Sequence, residues 1–348
     1  MAGQPVHRVV VIELWNIGDV ILTMPFLAQL RSVFPEASIA LAAKSFASDL
    51  LSGTGLVDEF IVVDLAWSPS DDTGPGRKFL SLFQASRTMR ARRFDIAFSG
   101  RDHFRERVLL GLSGARRRVA RSGSRGDQFL TDAVESAPGA THRVDSWLAL
   151  LNPFGGAVDV QVPRLHITDA EREWADDYLV SRGAESGDVI IGIHPGASLP
   201  EKRWPMDRFR EVAAAAAPQP GLRVITFADP SGFGDDLFDT PGVIGAQVSF
   251  RELIALINRC DLLVCNDSGP MHIAGAVGVP TVALFGEGIA ESFAPLGLNH
   301  EILRAPPSPE AKHSVTAIRS PAGIRTQEVL DAIDRAVGRL KGSAVAND

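Results

Sequence analysis

The sequence predicts an α/β protein with parallel sheets, and its length leaves room for two domains. Residues 260–286 run from an apolar stretch through a polar turn and a short helix of small residues into a second apolar stretch. That order is typical of a strand, a turn, a helix and a strand. Residues 7–14 are almost all apolar, as in a central parallel strand covered on both faces. A chain of 348 residues can build two domains, each with its own core.

The composition is that of a globular protein with an acidic balance. Hydrophobic residues make up 45% of the chain and charged residues 22%, which excludes an intrinsically disordered chain. The formal net charge of −7 argues against general nucleic-acid binding, so no nucleic-acid partner is expected. Cys260 and Cys265 fall on one predicted strand and its approach. They are therefore expected to be buried structural residues in a reducing compartment, and neither a disulfide nor a metal pair.

The first residues do not have the pattern of a secretion signal. Glu13 and Asp19 interrupt the apolar stretch, and no small-residue cleavage site follows. No uncharged apolar run of roughly 18 residues occurs, so no transmembrane helix is expected. These observations predict a cytoplasmic protein, and any contact it makes with a membrane should be peripheral.

The first half of the chain has the pattern of alternating strands and helices. Only Gly18 is present where a dinucleotide fingerprint would need three glycines, so a nicotinamide enzyme is disfavoured. After the first strand, the elements predicted in this half are a loop at 15–19, a helix from there to residue 33, strands at 38–43 and 60–63, and a helix at 141–151.

A segment rich in proline and glycine separates the two halves. The predicted organisation is a first domain at 1–152, a linker at 153–167, a second domain at 168–340 and a tail at 341–348. The second half is predicted to contain a helix at 168–182, a strand from 188, a helix at 206–217, a strand at 222–227, a helix at 248–258, the segment 260–286 and an amphipathic helix at 326–340.

One stretch of the first half is strongly basic. Residues 87–125 contain twelve arginines and only three acidic residues, Asp95, Asp102 and Glu106. In a chain that is acidic overall, this asymmetry indicates a surface for an anionic partner. The alternative is an ordinary solvated face with scattered ion pairs. The arginines are Arg87, Arg90, Arg92, Arg93, Arg101, Arg105, Arg107, Arg116, Arg117, Arg118, Arg121 and Arg125.

A polar turn in the second half has the composition of an anion site. Asp267 or Ser268 can cap the helix that follows. Pro270 suits the first helical turn, and Gly269 lets a ligand approach the backbone. The free N–H groups of that turn and the positive end of the helix dipole favour a phosphate, and His272 can add a donor. The alternative is that the turn only caps a helix, as any parallel α/β protein requires.

Cationic residues follow the strand that starts at residue 188. Lys202, Arg203 and Trp204 come after it, just before a helix initiated by proline. In a parallel sheet this loop and the turn around Ser268 leave from the same carboxyl edge, where open α/β sheets bind ligands. One loop would supply cations and the other a helix terminus that accepts anions.

These two motifs, residues 188–205 and 260–286, occur together with a third, GDVILTMP at residues 18–25. The combination resembles glycosyltransferase family 9, the bacterial lipopolysaccharide heptosyltransferases. The resemblance covers nearly the whole chain in the same order, although its specificity lies in the three motifs. It implies the GT-B architecture, in which two Rossmann-like domains face each other across a cleft. It also implies that the second half binds the nucleotide sugar, the first half binds the acceptor, and the last helix packs back on the first domain.

The resemblance assigns roles to the donor-site residues. Lys202 would neutralise the diphosphate as it leaves. Ser268 and the backbone N–H groups around Gly269 would hold the same diphosphate, with help from His272. Asp267 would orient the helix cap.

The resemblance also indicates where the nucleoside would lie. Val248 would be close to the adenine ring. The glutamate that related enzymes use to hold the ribose is absent, and Asp229, Asp235 or Asp236 would have to replace it.

Asp19 has two interpretations. From the residues alone, a carboxylate just after the first strand would cap a helix. The resemblance instead implies a general base that takes the proton of an acceptor hydroxyl as it attacks the sugar carbon. The acceptor would be an anionic lipopolysaccharide core, bound by Arg101, Arg105 and Arg121.

The reaction implied by the resemblance is an inverting single displacement, with Asp19 and Lys202 as catalytic residues and no metal or other cofactor. The donor would be ADP-heptose or another nucleotide sugar. One alternative is a glycosyltransferase of the same fold with another donor or acceptor, because the motifs locate the diphosphate and not the sugar. Another is a non-catalytic nucleotide-binding protein, which the presence of both Asp19 and Lys202 disfavours.

Overall fold

Two compact units make up the chain, Met1–Pro163 and Arg164–Asp348, and the boundary falls within the predicted linker 153–167. None of the helices described here is long and apolar enough to cross a membrane. The computed structural model describes residues 5–63, 75–135, 142–156, 164–229, 232–287, 290–297, 299–307 and 319–345.

The first unit is built on a six-stranded parallel sheet with the spatial order β3-β2-β1-β4-β5-β6. β1 pairs with β2 from Arg8 opposite Ser38 to Ile12 opposite Ala42. The interior of β1 is fully buried, because helices cover both faces of a central parallel strand. The strands are β1 (Arg8–Ile12), β2 (Ser38–Ala43), β3 (Glu59–Val62), β4 (Ile96–Ser99), β5 (Arg117–Arg121) and β6 (Asp132–Val134).

The helices of the first unit follow the strands. Those described are α1 (Ile17–Val33), α2 (Phe46–Leu50), α3 (Pro75–Arg92), α4 (Phe104–Leu112) and α5 (Arg143–Leu148). Pro25 lies inside α1 and does not end it. After α5 a 3-10 helix runs over Ala149–Phe154, so helical structure extends two residues into the segment predicted as linker.

The second unit repeats this arrangement. Its six strands are parallel, in the order β12-β11-β10-β7-β8-β9. β10 pairs with β7 from Leu262 opposite Ile191 to Cys265 opposite His194. The strands are β7 (Val189–His194), β8 (Leu222–Phe227), β9 (Val243–Ala246), β10 (Leu262–Asn266), β11 (Thr281–Phe285) and β12 (Glu301–Arg304).

The helices of the second unit agree closely with the predicted segments. They are α6 (Asp169–Val180), α7 (Met206–Ala216), α8 (Phe250–Arg259), α9 (Gly269–Val277), α10 (Ala290–Phe293) and α11 (Thr326–Val345). α8 begins two residues later than predicted, so Val248 is the residue that precedes its N-cap Ser249. Cys260 and Cys265 are both buried and free, as expected.

The last helix is longer than predicted. α11 continues to Val345, through most of the segment assigned to a tail, and residues 346–348 lie outside the described ranges. Its apolar face, with Val329, Ala332 and Ile333, belongs to the core of the second unit and packs beside α7 and strands β10 to β12. This face is therefore used within its own unit, and packing of the helix on the first domain stays a prediction.

Each unit is a doubly wound α/β fold with the strand order of a Rossmann domain. Numbered within its own unit, each sheet has the order 3-2-1-4-5-6, so the winding direction reverses between the first and fourth strands. Ligands bind outside the carboxyl ends of the strands at this switch point. In the first unit the point lies between β1 and β4, and in the second between β7 and β10. The prediction of two Rossmann-like α/β domains is confirmed.

Candidate active site

In the second unit, a buried asparagine joins the two loops that leave the switch point. Asn266 ends β10, and its amide nitrogen donates to the Pro195 carbonyl at 2.6 Å. Its side-chain oxygen accepts the backbone N–H of Trp204 at 3.0 Å. Because Asn266 is fully buried, these bonds fix the loop after β7 against the end of β10. The sequence analysis noted the polar turn but did not recognise Asn266 as the residue that holds it.

Helix α9 presents its N-terminus at the end of β10. Ser268 is the N-cap residue, followed by Gly269 and Pro270 in the first turn. The Ser268 hydroxyl is buried, yet it makes no hydrogen bond to any described residue and does not cap the helix. A buried hydroxyl without a partner, next to free helix N–H groups, is the arrangement expected of an anion site. His272 lies one turn further and is only 4% exposed.

Lys202 is joined to this helix end through Asp267. Lys202 ends the 3-10 turn Pro200–Lys202, and its Nζ lies 2.5 Å from Oδ2 of Asp267. The two side chains are 19% and 7% exposed. Asp267 precedes the N-cap Ser268, so it does not cap α9 itself. A diphosphate that entered this site would compete with the Asp267 carboxylate for the Lys202 ammonium.

The three aspartates considered for the ribose have different surroundings. Asp229 follows β8, and a methyl group added to Gly196 would meet its carboxylate oxygen at 2.2 Å. Asp229 therefore lies against the loop that leaves β7. Asp236 instead pairs with Arg210 at 3.1 Å, and Asp235 is exposed. Of the three, Asp229 is the one that shares the edge of the sheet with the donor-site residues.

In the first unit, Asp19 and Arg101 meet at the switch point. Asp19 is the third residue of α1, and its Oδ2 accepts the N–H of Asn16 at 3.2 Å. Its Oδ1 forms an ion pair with the Arg101 guanidinium, which also lies 4.7 Å from the centre of the Trp15 ring. The Asp19 side chain is 11% exposed. The helix cap thus accounts for one of the two contacts of Asp19, and the second links it to the neighbouring loop.

Many arginines of the basic stretch 87–125 are matched by acids in or near it. Of the residues predicted to bind the acceptor, Arg101 and Arg121 lie at the ends of β4 and β5, whereas Arg105 is an exposed residue of α4. The net positive charge of this surface is therefore smaller than the sequence count indicates. The described ion pairs, besides that of Arg101, join Arg92 to Glu59, Arg116 to Asp95, Arg117 to Asp132, both Arg107 and Arg121 to Asp102, and Arg107 also to Asp127.

Behind the Asp19–Arg101 pair lies a buried cluster of charges that the sequence analysis missed. Glu13 and Glu106 are 0% and 1% exposed, and Arg143 of α5 is 8% exposed. Glu106 accepts the Trp15 indole N–H at 2.6 Å and the Ser99 hydroxyl at 2.6 Å. Glu13 offered a signal, since a carboxylate stands directly after a run that reads as a central strand.

Burial makes the ionised form of Glu106 costly. Burial and the neighbouring charge of Glu13 raise the pKa of Glu106 to about 7, against the hydrogen bonds from Ser99 and Trp15 and the charge of Arg101. Burial also lowers the pKa of Arg101 to about 10. The first unit therefore contains a carboxyl group that titrates near neutral pH and is linked to Asp19 through Trp15 and Arg101.

This titration predicts a pH-dependent stability that Glu106→Gln removes. Glu106 binds its proton more tightly in the folded chain than in the unfolded one, so folding stability falls as pH rises from about 4.5 to about 7. Gln carries no charge at either end of this window. We expect the free energy of unfolding of the variant, relative to that of wild type, to rise by about 1–3 kcal/mol as the pH goes from 5 to 8. Urea denaturation of both proteins at the two pH values measures this, and parallel pH slopes would contradict it.

The fold and the site together define a glycosyltransferase of the GT-B class. Both units are Rossmann-like; one has a lysine beside a free helix N-terminus, and the other has a carboxylate at the corresponding edge. More specifically, the chain belongs to glycosyltransferase family 9 (heptosyltransferase), whose family model matches residues 82–320. The resemblance of the three motifs is thereby confirmed, and the protein is an enzyme.

Individual relatives cover most of the chain. Lipopolysaccharide heptosyltransferase 2 of Escherichia coli K12 is 24% identical over 307 residues, which are 83% of this chain and 85% of that protein. The crystal structure of the family 9 glycosyl transferase from Veillonella parvula has a TM-score of 0.80 and 26% identity, and covers 97% of this chain and 99% of its own. The structure of E. coli ADP-heptose lps heptosyltransferase II has a TM-score of 0.76 and 21% identity, with coverage of 96% and 99%.

Proposed function

We propose that the protein transfers a heptose from ADP-heptose to the inner core of lipopolysaccharide, with inversion at the sugar carbon. The names of the relatives support the donor and acceptor. The observation that carries the mechanism is the Asp19 carboxylate, held at the first switch point by Arg101 and by the backbone of Asn16. The acceptor oxygen would attack the anomeric carbon while Asp19 takes its proton, and the bond from that carbon to the diphosphate would break on the opposite face.

The second unit would bind the donor and receive the charge of the departing ADP. Lys202 supplies a cation, and the N-terminus of α9 supplies backbone N–H groups beside the Ser268 hydroxyl. His272 would add a donor one turn further. These groups offset charge at the place where it develops, so we propose a transfer that needs no metal.

The nucleoside would extend along the same edge of the sheet. Asp229 is the best placed carboxylate for the ribose hydroxyls, since it lies against Gly196 in the loop after β7. Val248, just before the N-cap of α8, would lie near the adenine.

The acceptor would be bound in the first unit through its anionic groups. Arg101 follows β4 and Arg121 ends the adjacent β5, and burial together with the charge of Arg143 lowers the pKa of both. Arg143 is buried, and two of its guanidinium nitrogens have no hydrogen-bond partner among the described residues. Three neighbouring guanidiniums suit a carboxylate or a phosphate of the lipopolysaccharide core. Arg105, exposed on α4, would reach outlying charges.

A peripheral contact with the cytoplasmic face of the inner membrane would bring the enzyme to a lipid-linked acceptor. Helix α3 exposes Leu80 and Phe83, which are 54% and 50% exposed, and Arg87 is exposed one turn further. Apolar and basic side chains on one exposed helix suit an anionic lipid surface.

Calorimetric titration with ADP, UDP, GDP and dTDP, in the presence of EDTA and then of magnesium, tests the donor site. We expect ADP to bind more tightly than the other three by at least roughly tenfold, a difference of about 1.4 kcal/mol, and without magnesium. A transfer assay with ADP-heptose and a heptose-free lipopolysaccharide core tests the acceptor. Preference for another nucleotide would move the donor sugar elsewhere, and a requirement for magnesium would contradict the metal-independent mechanism.

A further inference from the structure

A series of contacts leads from the buried Glu106 to Asp19. The carboxylate of Glu106 accepts the indole N–H of Trp15, and the Trp15 ring lies against the Arg101 guanidinium, 4.7 Å from its centre. Arg101 in turn pairs with Asp19. Trp15 belongs to the loop after β1, Arg101 to the loop after β4, and Glu106 to α4. Glu106 therefore ties together the two loops that form the switch point.

The second oxygen of Glu106 holds Arg101 from the backbone side. It accepts the hydroxyl of Ser99, the last residue of β4, at 2.6 Å. The oxygen of the same hydroxyl lies 3.5 Å from the backbone nitrogen of Arg101, which donates to it. Each carboxylate oxygen thus accepts one short bond, one from the loop after β1 and the other from the end of β4, which leaves the group no freedom to rotate.

We propose that Glu106 is a positioning residue for glycosyl transfer, which fixes Arg101 through Trp15 and Ser99 and so holds the Asp19 carboxylate in place. The proposal rests on the role of Asp19 in the proposed function. Glu106 has no direct contact with Asp19, so it acts through the other residues.

Charged side chains of both signs surround Glu106. Glu13 faces Glu106 from the end of β1. Arg101 faces it from the loop after β4, and Arg143 faces it from α5. Arg107 lies on the same helix as Glu106. Arg101 and Arg143 repel each other, and both glutamates attract Arg101. Without Glu106, the Trp15 indole and the Ser99 hydroxyl would lose the acceptor that fixes them. Arg101 would then be held less firmly, and Asp19 would be free to move with it.

The expected kinetic signature is a loss of turnover without loss of donor binding. A displacement of a catalytic group by about 1 Å can reduce the rate roughly 100-fold. We expect Glu106→Ala to lower kcat about 10- to 100-fold and to leave the KM for the nucleotide sugar within about twofold, since the donor-site residues lie in the other unit. Glu106→Gln keeps the size but only one acceptor oxygen, so it should lower kcat less than Glu106→Ala does.

Milder variants and a matched control keep the test valid if Glu106→Ala fails to fold. Trp15→Phe keeps the ring over Arg101 but removes the indole N–H, and Ser99→Ala removes the other donor to Glu106. Ser113→Ala is the control, because Ser113 is also fully buried in this unit and its hydroxyl donates to the Leu110 carbonyl at 2.6 Å, away from the cluster. Trp15→Phe and Ser99→Ala should lower kcat, and Ser113→Ala should not.

A double-mutant cycle and a crystal structure separate this inference from the proposed function. If Glu106 acts through Asp19, Glu106→Ala should have no further effect on the residual turnover of Asp19→Asn. In the crystal structure of Glu106→Ala, the Asp19–Arg101 pair should be broken or displaced. An unchanged pair, additive losses in the cycle, or equal losses in Ser99→Ala and Ser113→Ala would overturn the positioning role. Full turnover in Asp19→Asn would instead overturn the general-base assignment, and the crystal structure would still decide the case of Glu106.

Discussion

Replacing Asp19 with Asn is expected to lower the turnover of heptose transfer by roughly 10²- to 10⁴-fold, the range that a general base contributes. The amide has the shape of the carboxylate and can still accept the Asn16 N–H, so α1 should keep its start. It cannot take a proton from the acceptor hydroxyl, and it loses the charge that pairs with Arg101. Affinity for ADP should stay within about twofold, because the proposed donor site lies in the second unit. Steady-state kinetics and calorimetry on the same preparation measure both quantities.

Glu328 provides a control with the same local contacts. It is the third residue of α11, it accepts the N–H of Arg325 at 2.8 Å, and it pairs with the Arg325 side chain at 3.1 Å. Glu328→Gln therefore changes a carboxylate to an amide at an equivalent helix position, away from either switch point. Turnover in this variant should equal that of wild type. If Asp19→Asn lost ADP affinity and turnover to the same extent, Asp19 would be structural and the proposed mechanism would be wrong.

The parts of the fold that could be predicted from sequence are those where local signals agree. β1, β7, β10 and β11 are short apolar runs bounded by polar turns, and each was found within a few residues of its observed limits. α9 was found because Ser268, Gly269 and Pro270 specify a helix start in three consecutive residues. The proximity of the loop with Lys202 and the turn with Asp267 followed from one topological rule, that parallel strands bring their following loops to the same edge. The ion pair between the two side chains was not predicted.

The parts that were missed depend on contacts between distant residues. β4, β5 and β6 lie in or beside the basic stretch, where the arginines of Arg117–Arg121 conceal a strand that is only partly apolar. The charges of the arginines in this stretch indicated a surface for an anionic partner. Ion pairs to residues such as Glu59 and Asp132 occupy several of these arginines. Glu106 could not be recognised either, because its importance comes from Trp15, which is 91 residues away. Partners at such separations are set by the tertiary fold and leave no local pattern.

Lys202→Met is expected to lower turnover by roughly 10²- to 10³-fold, the effect of removing one group that stabilises charge in a transition state. Met keeps most of the length of the side chain but has no charge to offset the leaving diphosphate. Affinity for ADP should fall as well, by about tenfold or about 1.4 kcal/mol, since Asp267 then stands unpaired beside the phosphate site. The loss in the single variant therefore has two sources, the missing cation and the uncovered carboxylate.

The double variant Lys202→Met with Asp267→Asn separates these sources. Asn removes the uncovered charge, so ADP affinity and folding stability should recover in large part, while turnover should stay low because the cation is still absent. Arg223→Met is the matched control. Arg223 pairs at 3.2 Å with Asp188, which is 8% exposed, but this pair lies at the amino ends of β7 and β8, away from the ligand edge. Arg223→Met should lower the free energy of unfolding and leave turnover unchanged. Recovery of full turnover in the double variant would mean that Lys202 serves only to neutralise Asp267, and the charge of the leaving group would then have to be balanced by the N-terminus of α9 and by other residues at the switch point.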